Sequence, residues 1–173
     1  NIGGTNPDTC PTEAGNSTQG GILGCPDADG DGWADIADAF PTDDTQYSDQ
    51  DGDGYGDNIT GNSPDSCPLT YGNSTIDRLG CVDTDGDGHS DLNDDFPNDP
   101  TRYLDTDNDG YDDAEDDCPT TPGTSTNGAL GCFDADQDTW ADISDSFPMD
   151  ASQWNDTDMD GYGDNASGIN PDA

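Results

Sequence analysis

The sequence predicts a mostly irregular, elongated repeat array held together by bound cations and local disulfides, with little regular helix or strand. Three observations predict it. The chain of 173 residues carries 41 Asp or Glu against 2 Lys or Arg, a formal net charge of −39, and only 27% hydrophobic residues. Its landmark residues recur three times, and its aspartates fall into six short ladders of alternate residues.

The charge comes first. A chain this polar cannot bury enough apolar surface to offset the entropy of ordering it. Arg78 and Arg102 are its only Lys or Arg residues, so the compensating positive charge comes from outside, and bound metal is the natural source. The same charge excludes nucleic acid, whose binders need Lys and Arg to displace phosphate counterions, and it repels anionic lipid headgroups. No apolar run approaches the ~18 residues of a membrane span. No leader peptide is visible, so export implies a leader already absent from this chain.

The repeat emerges when the chain is laid on itself. Cys25, Cys81 and Cys132 lie 56 and 51 residues apart. Phe40, Phe96 and Phe147 keep the same steps, as do Tyr47, Tyr103 and Trp154, and Tyr55, Tyr111 and Tyr162. The expected units are 1–57, 58–113 and 114–164, and the step from the second copy's landmarks to the third's is five residues shorter than the step before it. Residues 165–173 repeat the phase of residues 1–9 and read as the start of a fourth unit or a contact segment. Each copy runs from a Cys-Pro to Gly-Cys segment, through an acidic loop and Phe-Pro-x-Asp, to a second acidic loop.

Six segments follow D-x-D-x-D-G-x-x-D, five of them with the glycine and one with Thr in its place, the two in each copy starting 22 residues apart. Loop 1 offers Asp27, Asp29, Asp31, Asp35 and Asp38; loop 2, Asp49, Asp51, Asp53 and Asp57. Loop 3 offers Asp83, Asp85, Asp87, Asp91 and Asp94; loop 4, Asp105, Asp107, Asp109, Asp113 and Asp116. Loop 5 offers Asp134, Asp136, Asp138, Asp142 and Asp145; loop 6, Asp156, Asp158, Asp160 and Asp164. The spacing suits Ca²⁺, a hard ion that takes six to eight oxygens at about 2.3–2.6 Å. Carboxylates at positions one, three and five curl round the ion, and glycine at position six allows the sharp turn. Position seven gives its backbone carbonyl, here from Trp33, Tyr55, His89, Tyr111, Trp140 and Tyr162. Loop 5 has Thr139 at position six, so its turn is expected to be strained. At position twelve, loops 2 and 6 have Thr60 and Ser167 in place of Asp, and Asp65 and Asp172 are expected to loop back as substitutes. The loops hold 28 of the 41 acidic residues, far more charge than six ions cancel, so further ions are expected, with Asp43, Asp99 and Asp150 as bridging candidates.

Two calcium folds fail on spacing. An EF-hand needs flanking helices, and the ten residues between loops 1 and 2 include Pro41. A parallel β-roll needs a nonapeptide period that is absent. The whole chain instead resembles thrombospondin type 3 repeats, in their microbial secreted or surface variant. The carrying residues are DADGDGWADIAD (27–38) with DQDGDGYGD (49–57), the Cys-Pro segments, and DAFPTDDTQYSDQDGDGYGDN (38–58). The resemblance implies a meandering chain wrapped round a string of Ca²⁺ ions. The Cys-to-Cys segment departs from the vertebrate repeats, so their cysteine connectivity is no guide.

Six cysteines in such a chain suggest disulfides. Repetition favours Cys10–Cys25, Cys67–Cys81 and Cys118–Cys132, each closing a loop worth about 3 kcal/mol in the entropy model. Zinc is disfavoured, since no C-x-x-C occurs and His89 is the only histidine. Asn16, Asn58, Asn73, Asn155 and Asn165 sit in N-x-S/T, the acceptor pattern for N-linked glycans. Asn16 and Asn73 share one place in their copies, where the third has Thr124, Ser125 and Thr126, candidates for O-linked sugar. The Phe residues, with Tyr47, Tyr103 and Trp154, are expected to form small packing clusters under each loop pair, and the His89 side chain to be exposed.

The expected function is structural, a calcium-stiffened extracellular or cell-surface rod that self-associates into a filament. The alternatives are a stalk of a larger adhesin, or a calcium-dependent module binding sugar or protein. A dockerin needs helices after each loop, where Phe-Pro stands here. No enzyme is expected: a glycosidase needs a carboxyl in an apolar pocket, which no stretch of this chain builds.

Overall fold

The structure, a computed structural model, describes residues 7–169 and 171. It contains no helix, and its only strand-like pairing among these residues is three isolated parallel bridges: Gly56 with Pro64, Asn127 with Trp140, and Gly163 with Pro171. The chain is mostly irregular, as its turn-forming composition dictates. It divides into two compact units, Asn1–Thr101 and Arg102–Ala173, the division falling inside the repeat 58–113.

Three disulfides close, Cys10–Cys25, Cys67–Cys81 and Cys118–Cys132, with Cα atoms 5.0, 5.1 and 5.1 Å apart. They point to an oxidising compartment. Each disulfide loop is organised by one buried serine, Ser17, Ser74 or Ser125, at most 3% exposed. Its hydroxyl accepts the N–H of the second cysteine at 2.9, 3.1 and 2.9 Å, and its own N–H donates to that cysteine's carbonyl. The hydroxyl also donates to the carbonyl of Ile22, Arg78 or Ala129. Backbone groups that a chain without sheets would leave unpaired are thereby satisfied.

The buried apolar set is small: Cys25, Ala34, Cys81, Ala129, Cys132 and Ala141. No aromatic belongs to it. Phe40, Phe96 and Phe147 are half-buried, and Tyr47 and Tyr103 are 40% and 44% exposed. Position seven of the first loop stacks on the residue two before the second loop, Trp33 on Tyr47 at 4.8 Å and Trp140 on Trp154 at 6.4 Å between ring centroids. His89 is half-buried.

Each disulfide loop grips the acidic loop that follows. The carbonyl at position six accepts two consecutive N–H groups at 2.8–2.9 Å: Gly32 from Thr18 and Gln19, Gly88 from Thr75 and Ile76, Thr139 from Thr126 and Asn127. Position eight of these same loops is small and buried, Ala34, Ser90 or Ala141, at most 1% exposed.

Candidate metal centres

Every acidic loop is built by the same hydrogen bonds. The carboxylate at position one accepts the N–H of position four at 2.7 Å through one oxygen, and of position six at 2.9–3.1 Å through the other. The carboxylate at position five accepts the N–H of position seven at 2.7–3.0 Å. Position nine closes the ring. Its N–H donates to the carbonyl just before the loop at 2.8–2.9 Å, and its carboxylate accepts the N–H of position two at 2.6–3.3 Å. Asp35, Asp57, Asp91, Asp113, Asp142 and Asp164 thus have a structural task that spacing alone did not reveal.

These turns drive the backbone into left-handed conformation at positions four and six. At position six φ is 95–104° in loops 1 to 4, 86° at Thr139 and 88° at Gly161, at loop 1 reaching 102°. At position four it is 82–87° at Gly30, Gly52 and Gly86, and 64–65° at Asn108, Gln137 and Met159. The expected strain at Thr139 is present, since a β-branched residue at positive φ is an outlier.

The loops converge carboxylate oxygens on one point. In loops 1 to 5, one oxygen of each of three aspartates lies within 4.8 Å of the others: Asp27, Asp29, Asp31; Asp49, Asp51, Asp53; Asp83, Asp85, Asp87; Asp105, Asp107, Asp109; and Asp134, Asp136, Asp138. Asp156, Asp158 and Asp160 hold the corresponding turn in loop 6, with the same hydrogen bonds.

Position twelve faces the cluster in loops 1, 3, 4 and 5. Asp38, Asp94, Asp116 and Asp145 each accept the N–H of the second residue on, at 2.6–2.7 Å. Asp65 accepts the N–H of Cys67 at 2.6 Å in the same way. Thr60 turns instead to the side chain of Asn58, and Ser167 to that of Asn165. Burial raises the Asp38, Asp65, Asp94 and Asp145 carboxyls above the usual range, and like charge adds to it. The neighbours of Asp65 are Asp53, Asp51 and Asp57 of loop 2, so it faces the loop that lacks an acidic twelfth residue. Asp107 and Asp136 are raised by burial and by the carboxylates around them. Asp172 lies outside the described residues.

The fit to a cation rests on oxygens with no protein partner. Buried and unpaired are one oxygen each of Asp29, Asp85, Asp136, Asp138, Asp65 and Asp145, and both of Asp51 and Asp107. They occupy positions three, five and twelve, or its substitute. A buried carboxylate oxygen without a donor costs free energy, and several in one ring repel. A hard divalent ion removes both penalties. The position-seven carbonyls agree, since no hydrogen bond of the described residues ends on that of Trp33, Tyr55, Tyr111, Trp140 or Tyr162. The residues present fit an oxygen-ligated metal.

Other acidic groups serve turns. Asp43 accepts from Thr45 and Asn62, and Asp150 from Ser152. Asp99 accepts from Thr101. Burial works against ionisation of Asp77, yet the N–H groups of Arg78 and Ser90 and the side chains of Asn93 and Ser90 hold its carboxyl down at about 2. Among the sequons, Asn16, Asn73 and Asn155 are exposed. Asn58 and Asn165 spend their amide N–H on the carbonyls of Thr45 and Ser152, both at 2.8 Å.

Sequence reasoning missed the clamp on the five-residue insertion. Gln46 and Gln153, each 1% exposed, donate to Asn58 and Asn62, or Asn165 and Ile169, carbonyls and accept the N–H of Asn58 or Asn165. Side chains at Gly56 or Gly163 would strike them. The copy without the insertion has Arg102, paired with Glu115 at 3.4 Å, and Asp112, buried and bonded to the N–H groups of Tyr103, Leu104 and Ala114. No family model matches the chain, and no curated protein matches it.

Proposed function

We propose that this chain is an extracellular structural calcium-binding protein, whose six aspartate loops take up Ca²⁺ and thereby turn an over-charged chain into a stiff rod or filament. The carrying observation is the set of buried carboxylate oxygens at positions three, five and twelve that have no donor. Calcium supplies the positive charge that 2 Lys or Arg against 41 acidic residues do not. Kinship with thrombospondin type 3 repeats is part of the proposal, as are secretion and the absence of enzymatic activity.

In this reading binding energy is folding energy. Aspartates at positions one, five and nine hold the turn, those at three, five and twelve face the ion, and the disulfide loops fix each odd loop from behind. Extracellular modules of this chemistry bind at about 10⁻⁴ to 10⁻³ M, which suits calcium outside cells. Negative-stain imaging with about 1 mM Ca²⁺ and again in excess chelator tests the reading. Rods or fibres that collapse on chelation are expected; a particle unchanged by chelator contradicts it.

A further inference from the structure

Five asparagines stand in N-x-S/T, and the structure separates them into two kinds. Asn58, Asn155 and Asn165 have a task in the fold. The amide of Asn58 donates to the carbonyl of Thr45, and that of Asn165 to the carbonyl of Ser152, both at 2.8 Å. Both asparagines are half-buried, and their backbone N–H groups are held by Gln46 and Gln153. The amide of Asn155 donates to Asp164 and to the hydroxyl of Thr157, which itself donates to Asp164. The asparagine and its Thr together hold loop 6.

Asn16 and Asn73 are different. Each is exposed, and its side chain takes part in no hydrogen bond among the described residues. The backbone beside it is nonetheless fixed. The N–H of Ser17 or Ser74 donates to the second cysteine's carbonyl at 3.2 or 3.1 Å, and that of Thr18 or Thr75 to the carbonyl of Gly32 or Gly88 at 2.8 or 2.9 Å. Ser17 and Ser74 turn inward, 3% and 0% exposed, while the Asn before and the Thr after are exposed. The hydroxyls of Thr18 and Thr75 are likewise in no hydrogen bond among the described residues. Both side chains that define the acceptor pattern thus stand clear on the surface of a disulfide loop.

The third copy has the same backbone without the asparagine. Thr124 and Thr126 are exposed, Ser125 is buried, and the N–H groups of Ser125 and Thr126 donate to the carbonyls of Cys132 and Thr139. Thr124 lines a cavity of 330 Å³ with Pro122, Phe133, Gln137, Asp109 and Asp134. An aromatic wall beside amide and carboxylate groups suits a sugar, which packs its C–H face on the ring and bonds through its hydroxyls.

We propose that Asn16 and Asn73 are one repeated attachment site for an N-linked glycan, built on the disulfide loop, and that the other three sequons stay bare. The amide nitrogen attacks the anomeric carbon of a sugar carried on a diphosphate. The N–C bond forms, the C–O bond to the diphosphate breaks, the diphosphate leaves, and the nitrogen gives up one proton. A transferase of the exporting cell supplies the donor and the catalysis. At Asn58 and Asn165 the same bond would set a bulky group in place of the hydrogen bond that holds the insertion. The glycan on Asn73 stands where two acidic loops meet one disulfide loop: Gly72 donates to Asp53 of loop 2, and Thr75 to the carbonyl of Gly88 in loop 3. The inference rests on the proposed secretion, and not on calcium.

The test is glycopeptide mass spectrometry of the full chain isolated from its source and digested without reduction. Asn16 lies between Cys10 and Cys25, and Asn73 between Cys67 and Cys81, so the same peptides report glycan and disulfide together. Glycan on Asn16 and Asn73, and none on Asn58, Asn155 or Asn165, is the expected result. Two variants made in the same cells extend it. Thr124→Asn completes Asn-Ser-Thr in the third copy and should gain one glycan there. Asn73→Gln should lose one, with calcium uptake unchanged. Bare Asn16 and Asn73 in a chain whose disulfides are formed overturn the site and leave secretion standing. Bare sequons in a chain of free thiols overturn secretion and the site with it. Occupancy of Asn58, Asn155 or Asn165 equal to that of Asn16 and Asn73, or a folded Thr124→Asn chain that gains nothing, overturns the selection by the disulfide loop.

Discussion

Position six of loop 5 is where side chain and backbone conflict most openly. Thr139 sits at φ 86°, and Gln137, two residues earlier, at 65°. A non-glycine residue held there costs on the order of 1–3 kcal/mol. Thr139→Gly is therefore expected to raise loop 5 stability in calcium by about 1 kcal/mol, after losing the exposed bond from Asn127. Chelator titration followed by Trp140 fluorescence measures it; unchanged or weaker binding would count against the strain. Asp65 gives the complementary case. Asp65→Ala should weaken one ion of loop 2 by about 10–100-fold, with Thr60→Ala nearly silent, as isothermal titration would show. Positions one, three and five were legible because their spacing predicts the carboxylate clusters that the loops form. Position four was not: Gly, Asn, Gln and Met share no chemistry, only a backbone conformation that the loop imposes.

At the scale of the element, the insertion after loops 2 and 6 and its clamp form one device. Gln46→Ala leaves the carbonyl of Asn62 and the N–H of Asn58 without partners, and the carbonyl of Asn58 with the N–H of Gly61 alone, a loss of about 1–3 kcal/mol. Faster hydrogen exchange over residues 58–64, with loop 1 unaffected, is the expected result; exchange spread evenly over the chain would argue against a local clamp. The insertion was visible in the repeat alignment, whereas its clamp was not. A glutamine in so polar a chain reads as a solvated residue, and only burial marks it. The pairing of cysteines was legible because three copies of one spacing leave little else. The serine that organises each disulfide loop hid inside the glycosylation pattern N-S-T in the first two copies and inside Thr124-Ser125-Thr126 in the third. Reduction of the disulfides is expected to remove about 3 kcal/mol per loop.

For the molecule as a whole, the proposed function sets protons and calcium in competition for the same oxygens. Asp38, Asp65, Asp94, Asp107, Asp136 and Asp145 are raised in the folded chain, by burial first and neighbouring charge second. A raised carboxyl favours the fold below its unfolded value and loses that contribution as pH rises through the folded one. In chelator the chain should therefore gain order on acidification towards about pH 4. Asp77 runs the other way: its contribution is present above the unfolded value and lost as pH falls through about 2. In calcium the sign reverses, because ligands must be deprotonated to bind, and acidification should release ions and loosen the chain. Protease resistance against pH, with and without chelator, reads both slopes; slopes of one sign would contradict the competition. At this scale the sequence made the small apolar core legible, since a net charge of −39 with 27% hydrophobic residues leaves little to bury.

Native mass spectrometry of the chain titrated with calcium addresses the central claim most directly. Six or more Ca²⁺ per chain, taken up together with a shift to lower charge states, is the predicted result. Fewer than six specific ions, or uptake without any change in charge-state distribution, would contradict it.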